Sequence, residues 1–256
     1  MTSVRAYRHG SSQRGFTLIE LLAAMIIGSM ILLAAVTILG RTGDSYDQIG
    51  GNVSAQREAR AALTQLSRDL SSSVYHEEEV FSKTGASWST DRIGFLSLQP
   101  SEAQSTEKDI GDLCAINYYV ADITSGGKTV RCLKRGFRNS LDTINAIKNS
   151  SIASLFQPDS QLDEEIAFGV VSFQARPKIR NPETSQLVDW DKSKSDSPEY
   201  IELQLVIARP DLAGKLKNAD DWSNSRLLGA PVNVDNTKGL EVYQTLVHFG
   251  NDTSTE

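Results

Sequence analysis

Two hydrophobic patterns divide the chain. From Phe16 to Leu39 apolar residues follow one another almost without interruption, and Glu20 is the one charged residue in the run. At about 1.5 Å per residue, a helix of this length reaches roughly 36 Å, enough to cross a bilayer. Arg41 to Gly51 is polar and glycine-containing, which predicts a helix bend or a melted turn. From Asn52 a helical period resumes. Val53, Ala59, Leu63, Leu66, Leu70 and Val74 share a face, while Arg57, Glu58, Arg60, Gln65 and Arg68 lie mostly elsewhere. The pattern predicts an amphipathic helix within 41–74 that carries the apolar segment into a soluble domain.

After Ser73 the period shortens to that of strands. Arg92 to Leu98 places Ile93, Phe95 and Ser97 on one face and Gly94, Leu96 and Leu98 on the other. Leu113 to Asp122 and Lys128 to Arg138 flank Ser125-Gly126-Gly127, a hairpin turn in which opposite residue numbers sum to 253. Ile166 to Arg176 and Tyr200 to Ala208 read as strands, the second with Ile201, Leu203, Leu205 and Ile207 on one face. Leu240 to Phe249 reads as the last strand. Asn181 to Glu199 is polar and Pro-containing and reads as a long exposed loop. A long helix followed by an antiparallel sheet is an α+β class, with the β-rich domain over 75–250 and a tail at 251–256.

The flanks of the apolar run set its orientation. Met1 to Gly15 holds Arg5, Arg8 and Arg14 and no acid, so by the positive-inside rule it stays cytoplasmic and the chain beyond Arg41 is exported. A secretory signal peptide has an apolar core of about 7–15 residues and a small-x-small cut site. Here the core is longer, and Ala35-Val36-Thr37 is a poor cut site. An uncleaved signal anchor stays open. The net charge of −6 becomes about −9 once three arginines leave with the leader, which argues against nucleic acid as a partner. No repeat at solenoid spacing occurs. A hydrophobic content of 39% in 256 residues is enough for one soluble domain beyond the anchor.

Glu20 is the costly residue. An acid at mid-membrane costs roughly 2.5–3.5 kcal/mol on insertion scales, and less near the interface. One reading places it shallow, at the headgroups. The other comes from "RGFTLIELL", Arg14 to Leu22, which resembles the type IV prepilin (class III) signal shared by pilins and type II secretion pseudopilins. The resemblance implies that prepilin peptidase cuts after Gly15, removing residues 1–15, and that Phe16 is then N-methylated. It makes 16–40 the transmembrane and assembly helix and assigns Glu20 to the acid that pairs with an N-terminus. Cleavage places a positive amine on Phe16 about one helical turn from Glu20. Opposite charges at low dielectric favour pairing, within one chain or between neighbours.

The outer region resembles a family more loosely. "IGFLSLQP", "CAINYYV", "CLKRGFRN", "VVSFQARP", the Trp190-Asp191 pair and "YIELQLVIA" follow an order similar to minor pseudopilin J of type II secretion. The order is also similar to pilin-like Verru_Chthon cassette protein C sequences. These likenesses imply a pilin-like domain, partnered by other pilins or pseudopilins, the inner-membrane assembly platform and inner-membrane lipid.

Catalytic and metal patterns are weak. His9, His76 and His248 are the histidines, and "HEEEV" at His76 lacks the second histidine of a zinc-protease helix. There is no Gly-x-Ser-x-Gly elbow and no phosphate-binding glycine loop. No catalytic residue, metal ligand or cofactor is assigned. "DWDKSKSDSPEY" offers Asp189, Asp191, Ser193, Asp196 and Glu199 and begins like a calcium loop. Lys194 takes the place of the glycine and Tyr200 that of the closing Glu, so a solvated loop is expected. Cys114 and Cys132 enter an oxidising compartment, which favours a disulfide. The hairpin register instead sets Cys132 opposite Ala121, about 23 Å along the strand from Cys114, so two reduced, half-buried cysteines are expected.

The expected protein is a structural minor pilin or pseudopilin, anchored in the inner membrane by one span with its C-terminal domain in the periplasm. It then enters a pseudopilus or a surface pilus, with type II-like secretion as the leading role. Two alternatives stay open: a type IV pilus minor pilin for adhesion or DNA uptake, and a singly anchored periplasmic enzyme.

Overall fold

The computed structural model describes residues 17–77, 79–84, 88–100, 111–193, 197–231 and 239–250, with side chains described outside 39–52. Two compact units follow one another, the first ending at Asp47 and the second beginning at Gln48. Helix α1 (Leu18–Ser71) contributes to both. It runs through 41–51 without a break, where the sequence led us to expect a bend or melted turn. Each helix hydrogen bond is local, and a glycine costs about 1 kcal/mol relative to alanine without removing a donor or acceptor. Gly43, Gly50 and Gly51 therefore weaken this stretch but do not end it.

In the second unit α1 buries the expected stripe. Ala59, Leu63, Leu66 and Leu70 are in the core, joined by Ala62, which the pattern did not single out. Val53 and Val74 are exposed instead, Val74 because α1 ends at Ser71 and Val74 enters a short strand, β1 (Ser73–Val74). The helix's last carbonyls are met by the sheet residues around them. Ser97 Oγ donates to the Asp69 carbonyl at 2.8 Å and the Gly250 amide to that of Leu70 at 3.1 Å.

The remaining strands are β2 (Val80–Ser82), β3 (Arg92–Leu98), β4 (Leu113–Ser125), β5 (Lys128–Arg138), β6 (Glu164–Phe168), β7 (Val170–Arg180), β8 (Leu187–Asp189), β9 (Tyr200–Ala208) and β10 (Leu240–His248). All ladders between them are antiparallel. One sheet has the order β1-β3-β4-β5-β6, with β2 also on β3; the other has the order β10-β9-β7-β8. The arrangement is α+β and consistent with a pilin-like fold. The main core lies between α1 and both sheets, with Ile93, Phe95, Tyr118, Phe173 and the β9 row Ile201, Leu203, Leu205 and Ile207 fully inside.

The far faces of the sheets are covered too. Helices α2 (Ser140–Lys148) and α3 (Ile152–Leu155) lay Ala146 and Ile152 over Leu96 and Ala115, joined by Phe156 just past α3. Trp222 of α5 (Asp221–Asn224) and Leu212 of α4 (Pro210–Ala213) cover Val171 and Val206. Trp222 also donates its indole N–H to the Thr129 carbonyl at 2.9 Å, tying α5 to β5.

The β4–β5 hairpin has the expected register, with Ser125 opposite Lys128 and Ala121 opposite Cys132. Gly126 and Gly127 both take positive φ, 59° and 78°, the requirement of a primed two-residue turn. Two expectations need correction. The single strand from Ile166 to Arg176 is split at Gly169, whose φ of 74° turns the chain so that β6 joins one sheet and β7 the other. The loop from Asn181 to Glu199 contains β8, which pairs with Lys178–Arg180 of β7.

Cys114 faces Ser97 and Cys132 faces Ala121 and Phe168, so the two are not joined to each other. Both are fully buried, not half-buried, because each strand face here is covered. Burial pushes the Cys132 thiol up to about 11, with Glu165 adding to the effect. We expect both thiols to resist alkylation in the native protein and to label fully after unfolding without reductant. An unfolded chain that takes no label, with a mass two protons short, would mean a disulfide.

Candidate assembly site at the amino-terminal helix

The described chain begins at Thr17, and Gly15 and Phe16 lie outside it. At the start of α1, Thr17 and Glu20 bond reciprocally. The Glu20 amide donates to Thr17 Oγ1 at 3.3 Å, and the Thr17 amide donates to Glu20 Oε2 at 3.1 Å. Thr17 Oγ1 also donates to Glu20 Oε2 at 3.1 Å. This is a capping box, Thr-x-x-Glu, and it satisfies two amides that the helix leaves without partners. The sequence reading gave Glu20 a role toward a neighbouring amine and overlooked Thr17. The T-x-x-E spacing before an apolar run was the available signal.

Beyond the cap, Leu18–Ile38 is long and apolar enough to cross a membrane, and none of it is buried within the chain. Leu18 is 82% exposed and Leu33 73% exposed. The polar atoms in this stretch are internally satisfied. Ser29 Oγ donates to the Ile26 carbonyl at 2.9 Å, and Thr37 Oγ1 donates to that of Leu33 at 2.8 Å. Such back-bonding lets a hydroxyl enter hydrocarbon with no unpaired donor. Glu20 is thus the one ionisable side chain in the span, and its cap bonds are made through Oε2.

The other candidate residues are not assembled into a site. Asp189 is held by Lys178 at 2.8 Å, with Lys83 at 3.9 Å, and these lysines pull its carboxyl below the usual range. Asp191 turns onto Ser193, accepting from its amide at 3.0 Å and its hydroxyl at 2.8 Å. Lys192 Nζ donates to the Glu77 carbonyl. Asp196 lies outside the described residues, and among those described no three His, Cys, Asp or Glu side chains are grouped to hold a metal. Trp190 meets Tyr75 and Phe81 edge-on, a packing contact. His248 Nδ1 lies 3.0 Å from the Gly250 carbonyl.

Beside this loop, Glu79 accepts from the His76 amide at 3.2 Å through Oε1. Its Oε2 is buried with no hydrogen-bond partner among the described residues. Burial pushes this acid from an ordinary 4.5 to about 9. The folded state therefore holds the proton more tightly than the unfolded chain. Stability from this group is fully present below pH 4.5 and declines as pH rises toward 9. Glu79→Gln should flatten that decline, read as the thermal midpoint at pH 5, 7 and 9. An unchanged slope would mean that Glu79 reaches solvent.

Compared with known proteins, residues 10–36 match the family model for the prokaryotic N-terminal methylation motif. No curated protein and no solved structure matches the chain. The matched segment spans the Gly15–Phe16 junction, the Thr17–Glu20 cap and most of the apolar helix, and it supports a type IV pilin-like protein with a prepilin-type signal.

Proposed function

We propose that this chain is a structural pilin-like subunit, made as a prepilin and assembled with other pilins after its leader is removed. The observation that carries this reading is the methylation motif over residues 10–36, set directly on an exposed apolar helix that leads into an α+β domain. Prepilin peptidase would cut between Gly15 and Phe16, and Phe16 would be methylated on its new amine. Leu18–Ile38 would hold the subunit in the inner membrane as a single span, with the domain from Gln48 in the periplasm. The finer reading is a minor pseudopilin of a type II-like secretion system. It is supported by the order of strand motifs that resembles pseudopilin J. No catalytic role is assigned, because pilin-type subunits act by packing against one another.

The amino terminus tests this. Mass spectrometry of membrane-extracted protein should find a chain starting at methylated Phe16. Gly15→Val should leave full-length precursor in the membrane, since a side chain beside the cut blocks the peptidase. A wild-type chain starting at Met1, or beyond Ala35, would overturn the prepilin reading.

A further inference from the structure

The sheet edges of the second unit are unequal. One sheet ends in β1 and β2, of two and three residues, and in β6, of five. The other ends in β8, of three residues, and in β10, of nine. Proteins guard exposed edges with short strands, bulges, prolines and lysines. β6 is short and acidic and its pairing with β5 contains a bulge. β10 has none of these devices: its register with β9 is unbroken over nine pairs, and its sequence LEVYQTLVH holds no proline or lysine. Leu246, on this edge strand, is 47% exposed. Between β10 and α1 runs a groove of about 610 Å³ lined by Arg60, Leu63, Thr64, Tyr243 and Thr245. A long open edge beside a groove is a template for strand addition.

Strand direction selects the occupant. β10 runs alongside α1 in the same sense, since Gln56 bonds Glu241 near one end and the Gly250 amide bonds the Leu70 carbonyl near the other. β6 runs in the opposite sense. Its Glu164 lies across from Arg135, which bonds Asp69, and its Phe168 lines a depression with Ser54 and Ala55. Two copies anchored in one membrane enter this unit through the same end of α1. Side by side, β6 of one and β10 of the other are then antiparallel. Antiparallel pairing of β10 with β10 would turn one copy over.

Charge agrees with this choice. Glu164 is exposed on β6, as is Glu165 beside Lys134, while Arg60, exposed on α1, lines the groove beside β10. Phe168, 44% exposed, and Leu162, 69% exposed, supply apolar surface at the β6 edge.

We propose that β10 of one copy receives β6 of a second copy in antiparallel pairing, joining one sheet of each subunit to the other sheet of the next. The contact rests on the pilin-like reading, because it needs both copies in one membrane. The two surfaces differ, so the contact is head-to-tail and leaves a free β10 and a free β6 at the ends of any row.

The test uses full-length chains co-expressed in one membrane, one tag on a copy carrying Gln244→Cys and another tag on a copy carrying Phe168→Cys, since Phe168 and Gln244 both lie toward the Ser54–Gln56 end of their strands. The native cysteines are buried, and their protection from alkylation reports that each variant is folded. A short thiol-to-thiol crosslinker should give a dimer carrying both tags. Adding Arg60→Glu to the Gln244→Cys copy should lower its yield several-fold. Crosslinking of two Gln244→Cys copies at equal yield would overturn the proposal in favour of a symmetric contact. Copies that are cut after Gly15 and reach fibres without a mixed dimer would overturn it while leaving the pilin-like reading standing. Copies neither cut nor crosslinked would take both down.

Discussion

Glu20→Gln should leave insertion and cleavage after Gly15 intact and cut capture of the subunit into fibres about tenfold. The capping box makes this substitution informative. Glutamine at the third helical position bonds back to the Thr17 amide as glutamate does, so the helix start is preserved and only the charge is lost. Glu20→Ala removes the cap bond as well, which adds the smaller cost of a lost cap, about 1 kcal/mol. Both variants should insert slightly better than wild type, since the one acid of the apolar segment is gone. On the proposed assembly role, what would fail is the pairing of a neighbour's Phe16 amine with this carboxylate in an apolar surrounding. Breaking a buried pair costs about 3–5 kcal/mol. A third of that is roughly tenfold in affinity, at about 1.4 kcal/mol per decade. The measurement is the ratio of subunit in sheared fibres to subunit left in membranes. If Glu20→Gln matches wild type while Glu20→Ala is reduced, the carboxylate serves only as a helix cap and the pairing role falls.

Asp69→Ala should cost the second unit about 3–5 kcal/mol, a large share of the roughly 5–15 kcal/mol that holds a domain folded. Asp69 sits on α1 with its side chain 3% exposed, and Arg135 Nε of β5 reaches it at 2.8 Å. Tyr118 of β4 donates to the same carboxylate at 2.6 Å and Gln99 at 3.0 Å. Burial, with Asp69 beside it, raises the Tyr118 phenol well above its ordinary value, so it stays a donor. Deleting the carboxylate removes the anion that faces the buried guanidinium and takes an acceptor from Tyr118 and from Gln99, which keeps only Ser97 Oγ. Asp69→Leu combined with Arg135→Met should recover most of the loss, because an apolar pair of similar volume replaces the buried ions. Denaturant unfolding followed by tryptophan fluorescence reads both variants. A single variant within 1 kcal/mol of wild type would mean that water reaches the network, and the pair would not hold α1 to the sheet.

Signals confined to neighbouring residues were legible in the sequence. The motif at Gly15 to Glu20 is contiguous, and a membrane-length helix needs only its own residues. The apolar stripe Ala59, Leu63, Leu66 and Leu70 follows from the turn of a helix. The register of β4 with β5 follows from a two-residue glycine turn, β9 from the alternation of Ile201, Leu203 and Leu205, and β3 from a short apolar run. Thr17 is equally local, since the Thr-x-x-Glu spacing encodes the cap within four residues.

Contacts between distant segments escaped the sequence because no local pattern encodes them. Asp69 reads as one more polar helix residue until β5 places Arg135 against it across a separation of 66 residues. The strands β6 and β7 look like one run because a single glycine reverses the chain without changing the hydrophobic pattern. β8 is too short to show a period and exists because β7 offers it an edge. The cysteines became fully buried because helices and loops cover the outer faces of the sheets, and coverage is a property of the packed domain. The same holds for the open edge of β10: alternation predicts a strand, and only the sheet order shows that no described strand pairs with its far side.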